Sequence, residues 1–263
     1  FEKARKERMP ILLEGSAGTG KSSSAKHYAF KKKIGFALQS CSAGLQVSDL
    51  IGKTTILPNG EAGWVDGVLT QAMKNGDIFV LDEIDFGTPK ILQRLQDVLQ
   101  NRTLSLMENG GEVVTAHPNL LIVTDMNMNY RGTSQLNEAW ADRFAIKLRY
   151  EYDNKIEKKF ITSEALLDLA TSMRIASKGR EVTTAPAEGI AFETPISTRL
   201  LKTFELIAKE LSYEFAVENF VNNFAEEERS SVRLLLESNE SNLRSDYNLS
   251  NETITTDLGV DNE

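Results

Sequence analysis

The segment "LLEGSAGTGKSS", Leu12 to Ser23, constrains this chain more than any other. It carries the spacing G-x-x-x-x-G-K-S, from Gly15 through Gly20 and Lys21 to Ser22, directly after the apolar run "PILLE". Glycines at 15, 18 and 20 let the backbone curl until several N–H groups face one anion, and a helix starting near Lys21 adds its positive end. A buried strand, a glycine turn and a helix are therefore expected in that order. In a phosphate-binding loop of this form, Gly15, Ser16, Ala17, Gly18, Thr19, Gly20, Lys21, Ser22 and Ser23 cradle a polyphosphate. Lys21 neutralises its outer phosphates, and the Ser22 hydroxyl ligates magnesium.

A second signal is independent of the first. "DIFVLDEID" is a nearly unbroken apolar run closing on acids, the pattern of a parallel strand covered on both faces. It delivers Asp82 and Glu83 at the strand's C-terminal end, where open α/β sheets bind their ligands. Asp82 suits a magnesium ion held through water, and Glu83 suits the orientation and polarisation of an attacking water. Asp85 reads as the acid that caps the next helix.

Around these two segments, strand and helix patterns alternate. "IGFALQS", "NLLIVTDMN" and "AIKLRY" read as strands, while "VLTQAMKNG", "PKILQRLQDVLQNR" and "SQLNEAWADRF" read as helices. Pro58-Asn59-Gly60 and Asn109-Gly110 each sit between extended flanks and mark two inserted hairpins. Residues 1–152 are thus expected to form a three-layer α/β/α domain on a parallel sheet. From Asp153 the strand signal stops, and helical spacing carries on through residues 153–237 as a separate helical subdomain. Residues 238–263, rich in Asn, Ser, Thr and acids, read as a disordered tail.

Composition narrows the function classes. A formal net charge of -8 over 263 residues argues against a chain built to wrap nucleic acid, and the lysine run 31–33 reads as a solvated helix end. The single cysteine, Cys41, cannot form an internal disulfide, and His27 and His117 stand at no zinc-binding spacing from it. No apolar run reaches the length of a bilayer span and no signal peptide is read, so no membrane partner and a cytoplasmic location are expected.

The glycine loop, the acidic strand end, "VTDMN", "WADRF" and "STR", in this order, resemble the AAA+ ATPases. The segments "DLIGKTTILPNGE", "WVDGVLTQAM", "DEIDFGTPKILQRLQDVLQ", "LSLMENGGEVVTAHPN", "RGTSQLNEAWADRF" and "TPISTRLLKTF" are similar to the CobS subunit of cobaltochelatase and its relatives in the MoxR and dynein-related group. The similarity runs from about Arg5 to Glu237.

The resemblance implies ATP and magnesium as cofactors, a helical lid, and a homo-oligomeric ring, a hexamer in most of the family. It implies a protein partner, which in the chelatases carries an integrin or von Willebrand-type domain. It places Asn127 as the sensor that helps position the lytic water, with Asn129 as a weaker candidate. Arg143 matches the arginine finger that reaches a neighbouring subunit, and Arg199 matches the lid sensor of the same subunit. The family's hairpins fall near residues 53–66 and 103–116, where Trp64 and Met107 stand as partner contacts or, for Trp64, as the hairpin's own core. Two departures bear on metal insertion and leave the ATPase reading intact. Thr124-Asp125 replaces a small pair before the sensor, and the segment after Asn127 is short.

Overall fold

The computed structural model describes residues 1–42, 44–127, 138–179 and 192–247. It divides into two compact units, Phe1–Glu151 and Tyr152–Glu263.

The first unit opens with a short helix, α1 (Glu2–Lys6), which the sequence reading did not anticipate. It continues through β1 (Ile11–Gly15), α2 (Lys21–Lys32), β2 (Phe36–Ser40) and α3 (Val47–Ile51). The first hairpin follows as β3 (Gly52–Ile56) and β4 (Ala62–Asp66), then α4 (Val68–Asn75), β5 (Ile78–Asp82) and α5 (Pro89–Asn101). The second hairpin is β6 (Thr103–Leu106) and β7 (Glu112–Thr115), and the unit closes with β8 (Leu121–Met126), α6 (Glu138–Ala141) and β9 (Ile146–Tyr150).

Five strands pair in the order β2-β5-β8-β1-β9, all parallel, and each hairpin stands apart as its own antiparallel pair. Alternation along β5 explains why both sheet faces are covered. Ile78 and Val80 pack with Ala25 and Ala29 of α2, while Phe79 and Leu81 join Met73 of α4 and Leu95 of α5 on the other face. The expected α/β/α sandwich with two inserted hairpins and a parallel sheet is the observed architecture.

Local signals explain the boundaries. Gly76 takes the left-handed conformation that ends α4. Pro89 stands in the first turn of α5, behind Thr88, whose hydroxyl accepts the Ile91 N–H. Thr88, not Asp85, caps this helix: Asp85 is buried in the 3-10 turn Ile84–Phe86 that precedes it. Trp64 fills its hairpin's base, against the backbone of Gly52, and donates its indole N–H to Asp66 at 2.8 Å.

The second unit is helical: α7 (Asn154–Glu157), α8 (Glu164–Gly179), α9 (Thr198–Glu210), α10 (Tyr213–Asn222), α11 (Glu226–Ser238) and α12 (Glu240–Asp246). Its core gathers Leu166, Leu201, Phe204, Phe220 and Val232. The tail expected from residue 238 is corrected here, because α12 places Leu243 and Tyr247 inside that core. Two large apolar groups spaced by four residues are enough to dock one amphipathic turn, even in a polar-rich segment. Residues 248–263 lie outside the described residues.

Candidate active site

The site forms where the C-terminal ends of β1, β5 and β8 lie side by side. Register brings Leu13 beside Asp125 and Leu81 beside Thr124, so the residues that continue β5 and β8 emerge together at the mouth of the glycine loop.

At β1 the chain leaves the sheet through Gly15, whose φ of 153° and closeness to the Tyr150 carbonyl exclude a side chain: a Cβ there would lie 2.3 Å from that oxygen. Gly20, at φ 89°, turns the loop into α2. The Thr19 hydroxyl donates to the Ser16 carbonyl at 2.9 Å and closes the loop across its base. Ser24 donates to the Lys21 carbonyl at 2.6 Å and shares a 2.7 Å hydrogen bond with the Tyr150 hydroxyl, which ties the first turn of α2 to β9. Ser23 faces outward.

Lys21 is only 7 % exposed. Its ammonium donates to the Gly15 carbonyl at 2.9 Å, the Ser16 carbonyl at 3.0 Å and the Asn127 carboxamide oxygen at 2.9 Å. Burial pulls its pKa below the ordinary lysine value, while Asp125, Asp82, Asp85 and Glu83 push it back up. Three acceptors aligned on one ammonium hold it at the loop's centre, where a phosphate oxygen would replace them.

The Ser22 hydroxyl lies 3.0 Å from an Asp82 carboxylate oxygen and 3.1 Å from one of Asp125. One hydroxyl proton serves two carboxyl groups. Asp125 is 1 % exposed, and its pKa rises to about 7, first because it is buried and then because Asp82 stands beside it. Its other oxygen accepts the Glu83 backbone N–H at 2.8 Å. Glu83 itself takes a left-handed conformation, φ 56° and ψ 50°, at the turn out of β5. Burial also raises the Asp85 pKa. Cys41 donates its backbone N–H to the Asp82 carbonyl at 2.8 Å, and burial drives its thiol up to about 12, so it is an inert neighbour.

The donor set fits magnesium. A serine hydroxyl beside a strand-end aspartate would supply the one or two protein oxygens that this ion takes. Among the described residues no three His, Cys, Asp or Glu side chains form a protein-only metal cage, and magnesium bound with phosphate requires none.

The structure therefore brings together Gly15 to Ser22, Asp82, Glu83 and Asn127, all expected at the site from sequence. Arg143 is placed elsewhere. It is half-buried in the turn between α6 and β9, its N–H donating to the Trp140 carbonyl at 3.1 Å. Because β9 begins beside Ile11 and ends beside Gly15, Arg143, ahead of β9, sits at the N-terminal end of the strands, with about 13 Å of strand between the start of β9 and the glycine loop. Arg199 is exposed in the first turn of α9, behind the Ser197 cap, in the helical unit. Asn129 lies outside the described residues.

Sequence reasoning missed Asp125 as a member of the site. Its signal was present: an acid near the end of a buried strand, as Asp82 closes β5.

Fold and site together define a parallel-sheet α/β domain of the glycine-loop class. A profile of the AAA domain, dynein-related subfamily, matches residues 10–144, and the chain belongs to that family. An uncharacterised protein of Staphylococcus epidermidis is 30 % identical over 231 residues, covering 86 % of this chain and 88 % of the relative. One from Staphylococcus aureus is 30 % identical over 225 residues, covering 83 % of this chain and 85 % of its own length. A crystal structure described as a candidate ATPase from Cytophaga hutchinsonii aligns over 92 % of this chain and 86 % of its own, with a TM-score of 0.50 at 19 % identity, which supports the fold. No helix among the described residues is long and apolar enough to cross a membrane.

Proposed function

We propose that this chain is a magnesium-dependent ATP hydrolase that works in a ring of identical copies and couples turnover to the remodelling of a protein partner. The convergence of Lys21, Ser22, Asp82, Glu83 and Asn127 on one mouth carries the reading. Backbone N–H groups of Gly15 to Gly20 and the N-terminus of α2 receive the phosphates. Lys21 exchanges its carbonyl acceptors for phosphate oxygens. Ser22 and Asp82 would hold magnesium, which would neutralise phosphate charge when bound. Glu83 takes the proton of the attacking water, and Asn127, already hydrogen-bonded to Lys21, orients that water against the γ-phosphate.

The resemblance to ring-forming AAA+ proteins supports a ring, and Arg143, which matches their arginine finger, stands away from its own glycine loop. From the N-terminal end of the strands it serves the nucleotide of an adjoining copy, where such an arginine is worth about a thousandfold or more in rate. Arg199 is assigned as the sensor on the lid. The second hairpin carries Met107 at 71 % exposure and Val113 at 60 %, and its segment from Thr103 to Thr115 holds no Lys or Arg. A hairpin with exposed apolar groups, two glutamates paired to Arg94 and Lys74, and no cation of its own favours a protein partner over the phosphates of a duplex. Within the protein-partner class, a chelatase subunit is the particular load that the CobS-like segments suggest.

Replacement of Glu83 by Gln tests the core of the proposal. ATP binding is expected to persist while phosphate release falls by about a hundredfold or more. Release at the wild-type rate removes Glu83 from its role.

A further inference from the structure

Asp125, next to last in β8, has both carboxylate oxygens committed to other elements: one accepts the Glu83 backbone N–H at 2.8 Å, the other the Ser22 hydroxyl at 3.1 Å. Asp125 is buried, and burying a carboxylate opposes folding unless it is hydrogen-bonded. What it gains is geometric. Glu83 stands at φ 56°, a left-handed conformation that a residue with a Cβ holds only when its surroundings impose it. The Glu83 carbonyl accepts the Phe86 N–H at 3.0 Å, so its backbone is gripped from the 3-10 turn on one side and from β8 on the other.

We propose that Asp125 is the positioning residue of this site. It pins the Glu83 backbone in the left-handed turn, aims the general base, and links that turn to the phosphate-loop serine through a single buried side chain. The kinetic consequence rests on the ATPase reading, whereas the grip on Glu83 does not. Once the acceptor is lost, Glu83 relaxes toward ordinary φ values and its carboxylate swings away from the γ-phosphate. Displacements of about 1 Å in such groups cost up to about a hundredfold in rate.

The test uses the full chain as Asp125→Ala and as Asp125→Asn, whose amide oxygen still accepts the Glu83 N–H. Hydrogen exchange of the Glu83 amide is followed by NMR without nucleotide or metal, and kcat and KM are measured with magnesium and ATP. Asp125→Ala is expected to speed exchange about tenfold or more and to lower kcat about tenfold to a hundredfold with KM within about threefold. Asp125→Asn is expected to restore both to within about threefold of wild type. Wild-type protection of Glu83 in Asp125→Ala overturns the assignment, as does an Asn variant no better than the Ala one. Should the wild type hydrolyse no ATP, the ATPase reading fails, and the exchange comparison alone decides the grip.

Discussion

Asp125 makes the stability of the sheet unit fall as pH rises toward neutrality, opposite to the behaviour of a salt-bridged acid. Its carboxyl, held at about 7 rather than the ordinary 3.8, binds a proton more tightly in the folded chain than in the unfolded one. The resulting stabilisation is complete below the unfolded value and is lost as pH climbs through the folded value. Between about pH 5 and about pH 8 the loss amounts to about 2 to 3 kcal/mol. Asp85, also raised by burial, tilts the same way, and Glu205 of the helical unit, lowered through Lys209 and Thr162 against its burial, acts only at acid pH. The difference between wild type and Asp125→Asn removes both. Denaturant titrations in a chelating buffer without nucleotide, followed by tryptophan fluorescence, read the right unit, since Trp64 and Trp140 both belong to it. Wild type is expected to lose about 2 to 3 kcal/mol relative to the variant across that pH range. Parallel pH profiles for the two proteins would refute the claim that Asp125 carries a raised pKa beside Asp82.

Two further changes probe the scaffold. Gly15→Ala drives a methyl to 2.3 Å from the Tyr150 carbonyl at a φ of 153°, and is expected to cost about 3 kcal/mol or more in chemical denaturation; a near-native midpoint would show that β1 and β9 separate freely. Leu243→Ala empties a fully buried position of the helical core and should cost about 2 to 5 kcal/mol, read as an earlier loss of helical circular dichroism. A loss below about 0.5 kcal/mol would return the segment around α12 to the status of a tail.

Legibility tracked the range of each signal. The glycine loop, the acidic end of β5 and the two hairpin turns are written in runs of a few residues, so each stands complete in the sequence. The N-terminal helix α1 is five residues long and buries little beyond Ala4, too short for periodicity to register. Asp85 looked like a helix cap because acids favour that place; the chain instead inserts a 3-10 turn, buries Asp85, and gives the cap to Thr88. The segment after Ser238 looked unstructured because its average polarity hides Leu243 and Tyr247.

The residues alone determined that a strand, a phosphate loop and a helix follow one another, and that Lys21, Ser22, Asp82 and Glu83 are chemical groups at stake, while the family resemblance added Asn127. Only the folded sheet decided that β8 lies between β5 and β1, and hence that Asp125 meets Ser22 and Glu83, 103 and 42 residues away in the chain. Parallel pairing of β9 with β1 put Arg143, ahead of β9, at the end of the strands opposite its own loop. Turn chemistry and periodicity act between neighbours along the chain, whereas strand order is set by which apolar faces pack together across the whole unit, and no short window contains that information.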